Sequence, residues 1–330
     1  MKVRVGFIGC GGIARAHAER LVKIGDVEFV AFCDIIVERA KAFAQRYGGK
    51  AYDDYREMIE KEDLDACFIC IPPFSHTDQE ILCAERGIHL FVEKPVALTL
   101  EKACEILRAV ERAGIITQVG YVLRFIDSIR RAREVVHERG GRIALFDAWR
   151  YGGIPGGPEH WWRRKELSGG QLVEQSTHQV DLARWFVNDD VELVFASFET
   201  NLLNDLPNFD VESASVVNMR FKSKAIAVVT STCAAQPAGR TSGFRVISRN
   251  VEVISINNRE CRIIEGEKVT TLQASVDPYL EEDKHFIECV KSGKETEVPY
   301  IEGVKTLEVT LAAVMSAERG EAMRLPLMEY

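Results

Sequence analysis

The sequence lacks a long apolar run. Although 46% of its 330 residues are hydrophobic, the longest such stretch, 66–71, is far shorter than the roughly 18 residues that a membrane-spanning helix needs. The first residues alternate as in a strand and show no apolar core of a signal peptide. We therefore expect a protein that enters no membrane and stays in the cytoplasm.

The chain also lacks an excess of positive charge. Its 42 Lys and Arg against 50 Asp and Glu give a formal net charge of −8. This balance offers no general attraction for phosphate backbones, so no nucleic-acid partner is expected. The rest of the composition is that of a folded globular protein, which excludes collagen-like and disordered classes.

A cysteine pattern typical of a metal site or a disulfide framework is missing as well. The nine cysteines are an odd number and are spread over apolar segments. Cys67 and Cys70 are three residues apart on a predicted strand, so their side chains point to opposite faces and cannot share a metal ion. We expect reduced core thiols and no bound metal.

What the sequence does contain is an early alternation of strands and helices. Predicted strands cover 3–8, 28–33, 65–71 and 89–92, and predicted helices cover 13–24, 37–47, 55–61, 77–86 and 100–113. This pattern is typical of a doubly wound parallel sheet with helices on both faces. We assign it to a first domain, 1–122.

Beyond residue 122 the pattern changes. Predicted helices at 128–139 and 170–186 flank a strand at 142–150, and two more helices, 279–291 and 301–319, end the chain. Between 191 and 272, strand-like runs follow one another with no helix long enough for a crossover. A second domain, 123–330, is therefore predicted to be α+β with a mostly antiparallel sheet.

A glycine-rich turn joins the first predicted strand to the first helix. Gly9, Gly11 and Ala14 fit the G-x-G-x-x-G/A fingerprint, in which the glycines permit a tight turn and let a pyrophosphate approach the helix N-terminus. Asp34 ends the second strand about 20 residues later, where an acidic side chain accepts hydrogen bonds from a ribose and repels a 2′-phosphate. A glycine turn without a ligand is the alternative.

The residues around Asp34 bear on the choice of dinucleotide. Ile35 and Ile36 follow it, and no arginine stands beside it to accommodate a 2′-phosphate. The sequence therefore favours NAD over NADP, while Arg15 and Arg39 leave NADP open.

Two further segments carry polar side chains suited to chemistry. Lys94 follows a predicted parallel strand, at the sheet edge where ligands bind; a solvated lysine is the alternative. At about 100° per residue, Glu174, His178 and Asp181 fall within roughly 60° on one helix. A carboxylate there would orient a general-base histidine, and a solvated helix face is the alternative.

The loop 151–158 leads to a cluster of aromatic and basic residues at 160–164. The indole of Trp162 suits a sugar ring, and Arg163 and Arg164 suit a carboxylate or phosphate. The alternative is that the tryptophans anchor the loop to the core while the arginines face water.

Together these segments resemble the glucose–fructose oxidoreductase and inositol dehydrogenase (Gfo/Idh/MocA) family. The resemblance covers nearly the whole chain. It is carried by Gly9-x-Gly11-x-x-Ala14, Ile71-Pro72-Pro73 with His76, Glu93-Lys94-Pro95, Gly169-Gly170 through His178 to Asp181, and the last helix from Glu302-Gly303 through Ser316 to Gly320.

This resemblance implies a Rossmann domain followed by a domain with a large open sheet, whose exposed face mediates contacts in a homodimer or homotetramer. It implies an NAD(P)-dependent dehydrogenase acting on a CH–OH group of a sugar, cyclitol or sugar derivative. Lys94 would hydrogen-bond the reacting oxygen, His178 would take its proton, and the acid four residues earlier would orient the histidine. A cis peptide before Pro95 is also implied.

One departure from the family concerns that acid. Glu174 stands where members commonly carry Asp, and Ser176 where they carry Gly. Asp181 is therefore an alternative partner for His178. Some members of the family bind a dinucleotide as sensors or co-regulators without chemistry; Lys94 and His178 favour an enzyme.

The predicted site residues form three overlapping sets. The catalytic set is Lys94, His178, Glu174 and Asp181; the cofactor set is Gly9, Gly11, Gly12, Ile13, Ala14, Asp34, Pro72, His76, Glu93 and Lys94; the substrate set is Lys94, Tyr121, Arg124, Trp162, Arg163 and His178.

Overall fold

A computed structural model describes residues 2–329. The chain forms two units, one made of the residues up to Val122 with Asp277–Val304, the other of Leu123–Val276 with the residues from Lys305 onward. The terminal residues of the expected domains, Met1 and Tyr330, lie outside the described residues. We expected all of 123–330 in the second domain, whereas Asp277–Val304 belongs to the first unit.

The helices and strands follow one another in the order expected for two different sheets. In chain order they are β1 (Val3–Ile8), α1 (Gly12–Ile24), β2 (Val27–Cys33), α2 (Val37–Tyr47), β3 (Lys50–Tyr52), α3 (Tyr55–Lys61), β4 (Ala66–Ile69), α4 (Gln79–Glu85), β5 (His89–Val92), α5 (Leu100–Ala113), β6 (Thr117–Val119), α6 (Asp127–Val135), β7 (Ile143–Tyr151), α7 (Lys165–Ser168), α8 (Thr177–Val187), β8 (Val191–Glu199), β9 (Ala214–Phe221), β10 (Ile226–Thr232), β11 (Thr241–Ser248), β12 (Glu252–Ile256), β13 (Glu260–Glu265), β14 (Lys268–Gln273), α9 (Pro278–Ser292), α10 (Tyr300–Arg319) and β15 (Met323–Arg324).

Within residues 2–329, the first unit is built on a six-stranded sheet with the order β3-β2-β1-β4-β5-β6. Every neighbouring pair is parallel. The strand order reverses between β1 and β4, which is the switch point where open α/β sheets bind ligands at the carboxyl ends of their strands. This confirms the Rossmann-type fold.

A row of four buried phenylalanines fixes the register of the central strands. Phe32, Phe7, Phe68 and Phe91 face one another on β2, β1, β4 and β5. Their ring centroids lie 5.5 Å, 4.9 Å and 4.9 Å apart along the row. Each aromatic pair contributes about 0.5–1.5 kcal/mol beyond its buried area. The row therefore aligns the carboxyl ends of these strands.

Local signals explain where several helices of this unit begin and end. Helix α5 begins after Thr99, whose side-chain oxygen accepts a hydrogen bond from the Lys102 N–H, and ends at Gly114 in the left-handed conformation. Strand β4 and helix α4 are shorter than predicted. Pro72 and Pro73 lie between them, lack N–H donors and begin a 3₁₀ turn instead.

The second unit contains a nine-stranded sheet within the described residues, with the order β14-β13-β12-β11-β7-β10-β9-β8-β15. Only the pair β7–β10 is parallel, and the other neighbours are antiparallel. The mostly antiparallel sheet is therefore confirmed.

Helices cover one face of this sheet. Phe146, Phe244 and Phe186 pack in the core on that face, with ring centroids 5.4 Å and 5.0 Å apart. The opposite face leaves several large apolar side chains exposed, namely Phe195, Val216, Ile226, Ile256 and Val269.

Two predicted helices of this unit contain wider π turns. The helix predicted at 128–139 ends as α6 at Val135, and Val136–Gly140 forms a π turn. The helix predicted at 170–186 starts with a π turn over Leu172–Ser176 before α8. Because a π turn holds more residues than an α turn, side chains before Thr177 do not keep the 100° spacing used in the prediction.

The other sequence expectations concern thiols and membranes. All nine cysteines lie within the described residues, are buried and form no disulfide with one another. Within the same residues, no helix combines the length and the apolar character needed to cross a membrane.

Candidate active site

The glycine-rich turn has the backbone geometry of an anion-binding loop. Gly9 has φ of 90°, and a Cβ there would collide with the Cys70 carbonyl oxygen. By contrast, a Cβ on Gly11 or Gly12 would meet no heavy atom within 4 Å. The first turn of α1, which includes Ile13 and Ala14, carries no acidic residue. The N–H groups at this helix start, which have no partner inside the helix, are therefore suited to a phosphate.

Asp34 joins the ends of β1 and β2. Its Oδ2 accepts a 2.8 Å hydrogen bond from the Cys10 N–H, and its Oδ1 accepts one of 2.8 Å from the Ile36 N–H. The carboxylate is buried, yet each oxygen keeps a lone pair for a ribose hydroxyl. The following Ile35 is exposed. These residues fit the adenosine end of a dinucleotide.

Lys94 lies at the carboxyl end of β5, on the same sheet edge as the glycine turn. Its peptide bond to Pro95 is cis, as the resemblance implies. The preceding Glu93 is buried, and its Oε2 accepts a hydrogen bond of 3.2 Å from the Lys94 N–H. Along this edge the structure therefore brings together the glycine turn, Asp34, Glu93 and Lys94.

His76 and Pro72 follow β4 at the same edge. His76 is buried, and its Nδ1 lies 2.5 Å from Oε1 of the buried Glu80. Pro72 is half-buried and precedes the 3₁₀ turn. Both predicted cofactor residues thus lie at the carboxyl ends of the strands, and Glu80 is a partner that the sequence did not indicate.

In the second unit, each of the two candidate carboxylates has a partner. Glu174 Oε2 accepts a 2.8 Å hydrogen bond from the Trp162 indole Nε1. Asp181 accepts two hydrogen bonds from Arg124, of 2.9 Å from Nε and 2.6 Å from Nη2. Both side chains of this ion pair are almost fully buried. Arg124 is therefore tied to Asp181.

His178 lies in the first turn of α8, which continues the π turn carrying Glu174. The π turn therefore changes the angle between Glu174 and the side chains of His178 and Asp181 from the value used in the prediction. π turns inside helices often occur at functional sites.

The aromatic and basic loop is built around a small core. Trp162 is buried in a cluster with Phe209, Val211 and Cys233. Arg163 donates a 3.1 Å hydrogen bond to the Pro207 carbonyl. The structure therefore places Trp162 as a loop anchor, which is the alternative weighed from the sequence. In the first unit, Tyr121 is among the largest fully buried side chains.

A buried carboxylate holds the start of the His178 helix. Glu212 Oε1 accepts a 2.6 Å hydrogen bond from the Leu172 N–H, and a Cβ on Gly170 would lie 2.5 Å from Glu212 Oε2. Burial raises the pKa of the Glu212 carboxyl. The sequence analysis missed Glu212, although the Gly169-Gly170 pair marks the close approach it makes.

A buried histidine of the first unit was also missed. The two ring nitrogens of His17 lie 2.6 Å from Asp283 Oδ1 and 2.9 Å from Glu93 Oε1. Its position three residues after Ala14 and four before Leu21, on the buried face of α1, was the available signal.

Fold and site define a dinucleotide-binding oxidoreductase. Residues 3–121 match the family described as "Oxidoreductase family, NAD-binding Rossmann fold", and residues 129–251 match its C-terminal domain. The chain belongs to this family, Gfo/Idh/MocA, and is an NAD-dependent oxidoreductase.

Individual relatives extend over the same length. The chain is 29% identical over 334 residues to myo-inositol 2-dehydrogenase of Thermotoga maritima, covering 98% of both chains. It is 28% identical to scyllo-inositol 2-dehydrogenase (NAD(+)) of Bacillus subtilis, covering 98% of this chain and 96% of that one. Among solved structures, levoglucosan dehydrogenase with NADH and levoglucosan superposes with a TM-score of 0.91 at 21% identity, covering 99% and 100% of the chains. That likeness supports the fold.

Proposed function

We propose that this protein oxidises a CH–OH group of a sugar, cyclitol or sugar derivative, with Lys94 and His178 acting on the hydroxyl. The observation that carries the proposal is the position of Lys94 on the sheet edge that also holds the glycine turn and Asp34. Ligands of open α/β sheets bind at that edge. The names of the inositol dehydrogenase relatives support the substrate class.

The cofactor set would hold the dinucleotide. The first turn of α1 binds the pyrophosphate, Asp34 binds the adenosine ribose, and Pro72, His76 and Glu93 shape the nicotinamide end. Asp34 and the absence of an adjacent arginine favour NAD over NADP. NAD, when bound, accepts the hydride from the carbon that carries the hydroxyl.

His178 and Lys94 act on the proton of the substrate hydroxyl and on the negative charge that develops on its oxygen. Neutral His178 takes the hydroxyl proton as a general base, and the Lys94 ammonium donates a hydrogen bond to the oxygen as negative charge develops there. Glu174, fixed by the Trp162 indole, is our candidate for orienting His178. Asp181 supports the same helix through its ion pair with Arg124.

Dinucleotide binding and substrate binding are assigned to different units. The first binds the dinucleotide and includes Asp277–Val304 in addition to the expected residues 1–122. The second, within 123–330, binds the substrate. Trp162 and Arg124 support substrate binding by holding Glu174 and Asp181, and Arg163 supports it by holding its own loop. Tyr121 is fully buried and supports the core of the first unit.

We also propose that the protein is a cytoplasmic homo-oligomer. The uncovered face of the nine-stranded sheet exposes Phe195, Val216 and Ile226 to the extent of 41–51%. Apolar side chains exposed on the face of a sheet that no helix covers are typical of a protein interface. Val216→Glu should reduce the mass measured by light scattering; an unchanged mass would refute the assignment of this face.

Nicotinamide reduction, followed by absorbance, tests the catalytic proposal. Inositols, aldoses, uronates and nucleotide sugars are offered with NAD or NADP. Lys94→Ala and His178→Ala should each lower turnover of the substrate found by about 10²–10⁴-fold. The control is Lys41→Ala, which removes an exposed lysine of α2.

Two outcomes would count against the proposal. Turnover of Lys94→Ala or His178→Ala within a few-fold of the unmodified protein would refute these catalytic roles. NADH binding by the unmodified protein without turnover of any compound would favour the second candidate, a non-catalytic dinucleotide sensor.

A further inference from the structure

A buried histidine in the first unit has carboxylates on both sides. His17 lies on α1, and its Nδ1 is 2.6 Å from Asp283 Oδ1 on α9, while its Nε2 is 2.9 Å from Glu93 Oε1. The side chains of His17 and Asp283 are fully buried, and that of Glu93 is nearly so. A neutral imidazole has one N–H and can donate to only one of two carboxylates. When both carboxylates are ionised, bonding to both therefore requires the imidazolium.

The surroundings of His17 keep water away from these bonds. The Phe91 ring meets the imidazole edge at 4.7 Å between centroids, and the Tyr279 ring does so at 5.9 Å. Burial alone would lower the pKa of His17, but the charge of Asp283 and the hydrogen bonds that His17 donates to Asp283 and Glu93 raise it well above the ordinary value. Charge-assisted hydrogen bonds in such a setting are shorter and stronger than neutral ones.

Glu93 extends the network to the backbone of Lys94. One carboxylate oxygen bonds His17, and the other accepts the Lys94 N–H. A Cβ on Gly120 would lie 2.9 Å from the Glu93 carboxylate, so the adjacent β6 end leaves this side chain little room to turn. A continuous chain of bonds therefore runs from Asp283 through His17 and Glu93 to Lys94.

We propose that His17 is a positioning residue for Lys94. The imidazolium holds Glu93 in the orientation that binds the Lys94 N–H, and so fixes the backbone from which the Lys94 side chain extends. The inference rests on the proposed function of Lys94. Without His17, two buried carboxylates would lose the cation that balances them, and Glu93 would turn away. Lys94 would then lose the hydrogen bond that fixes the backbone from which its side chain extends.

A neighbouring ion pair supplies a matched control. Arg20, also on α1, lies 3.0 Å from Asp277, which precedes α9. This pair joins the same two helices without touching Glu93. Arg20→Gln and Asp277→Asn therefore weaken the packing of α1 on α9 and remove none of the hydrogen bonds between Asp283, His17, Glu93 and Lys94.

The first test measures Lys94 directly, without substrate or cofactor. Amine labelling of the protein is followed by peptide mass spectrometry as a function of pH. His17→Gln should change the labelling rate of Lys94 at least 3-fold, because the backbone that carries this amine is no longer held by Glu93. Arg20→Gln should leave the curve unchanged. Equal curves for His17→Gln and the unmodified protein, or an equal shift in Arg20→Gln, would overturn the proposal.

Kinetics give a second, independent test. His17→Gln and Asp283→Asn should lower kcat by about tenfold or more, since small misplacement of a reacting group has effects of this size. The affinity for NADH, measured by fluorescence titration, should change less than 3-fold. Asp277→Asn should change neither quantity. If His17→Gln does not fold, the comparison of Asp283→Asn with its control Asp277→Asn tests the proposal instead. Equal kcat values of these two variants would overturn the proposal.

Failure of this inference differs from failure of the proposed function. If Lys94→Ala keeps full turnover, the catalytic role of Lys94 is wrong, yet the labelling curve still reports on whether His17 positions it. If Lys94→Ala loses turnover and the His17 variant behaves as its control does, only the positioning role is refuted.

Discussion

Breaking the ion pair between Arg124 and Asp181 should severely destabilise the second unit. The pair is bidentate, at 2.9 Å and 2.6 Å, and its side chains are only 2% and 1% exposed. Asp181→Asn leaves the guanidinium charge buried without a counter-charge, and breaking a buried pair in this way costs about 3–5 kcal/mol. The ring of Trp185, 5.7 Å from the guanidinium, offers a cation–π contact of only about 0.5–2 kcal/mol and cannot replace the carboxylate.

Tryptophan fluorescence during urea unfolding measures the loss of stability of the second unit. All four tryptophans lie in the second unit, at positions 149, 161, 162 and 185. The comparison includes Arg124→Met, Asp181→Leu and the double variant. Replacing both members of a buried pair by apolar residues is often close to neutral, so the double variant should be more stable than either single one. A loss below about 1 kcal/mol in Asp181→Asn, or additive losses in the double variant, would refute this reasoning.

Three further predictions follow from single contacts. Gly9→Ala should prevent NADH binding, because the added Cβ would collide with a backbone carbonyl at a residue with positive φ. Gly11→Ala should keep the melting temperature of the unmodified protein and lower its affinity for NADH. An unchanged affinity in Gly11→Ala would contradict the assignment of this turn to phosphate binding. The raised pKa of Glu212 means that the folded protein binds this proton more tightly than the unfolded chain, so the free energy of unfolding falls as the pH rises from the ordinary carboxyl range toward the raised value. Glu212→Gln should lack this pH-dependent fall in the free energy of unfolding. The urea concentrations at the unfolding midpoint of both proteins, measured between about pH 4 and about pH 8, will check this. If the two midpoints change with pH in parallel, Glu212 does not titrate in that range. Trp162→Phe keeps the buried ring and removes the donor to Glu174, so turnover should fall about tenfold or more; turnover equal to that of the unmodified protein would mean that this bond does not help catalysis.

Local patterns predicted the dinucleotide fold well. Short apolar runs bounded by glycine predicted strands β1, β2, β4 and β5 and the helices between them, because period and end signals are encoded within a few residues. The three-residue strands β3 and β6 are too short to carry such a pattern. The glycine turn and Asp34 were predictable from local sequence in the same way, because their spacing alone indicates two strand ends at one sheet edge.

The sequence did not predict the contacts between residues that are far apart along the chain. Asp283 is 266 positions from His17 along the chain, and Glu212 is 40 positions from Leu172. Nothing in either local sequence marks these carboxylates as buried partners. The π turn before α8 escaped for a different reason. Its residues, Leu172–Ser176, carry no local signal that distinguishes a π turn from an α turn.

The return of Asp277–Val304 to the first unit has a consequence for synthesis on the ribosome. After Val122 has emerged, about 180 further residues must be made before that segment is complete, which takes roughly 10–35 s at ordinary elongation rates. Until then the α1 side of the parallel sheet lacks Phe286 and Ile287, and its apolar surface stays open to water. The nascent chain therefore carries an exposed docking site for its own later helix. Within that interval a chaperone or a neighbouring nascent chain competes for this surface, and a transcript truncated before Asp277 would yield a protein that never covers it.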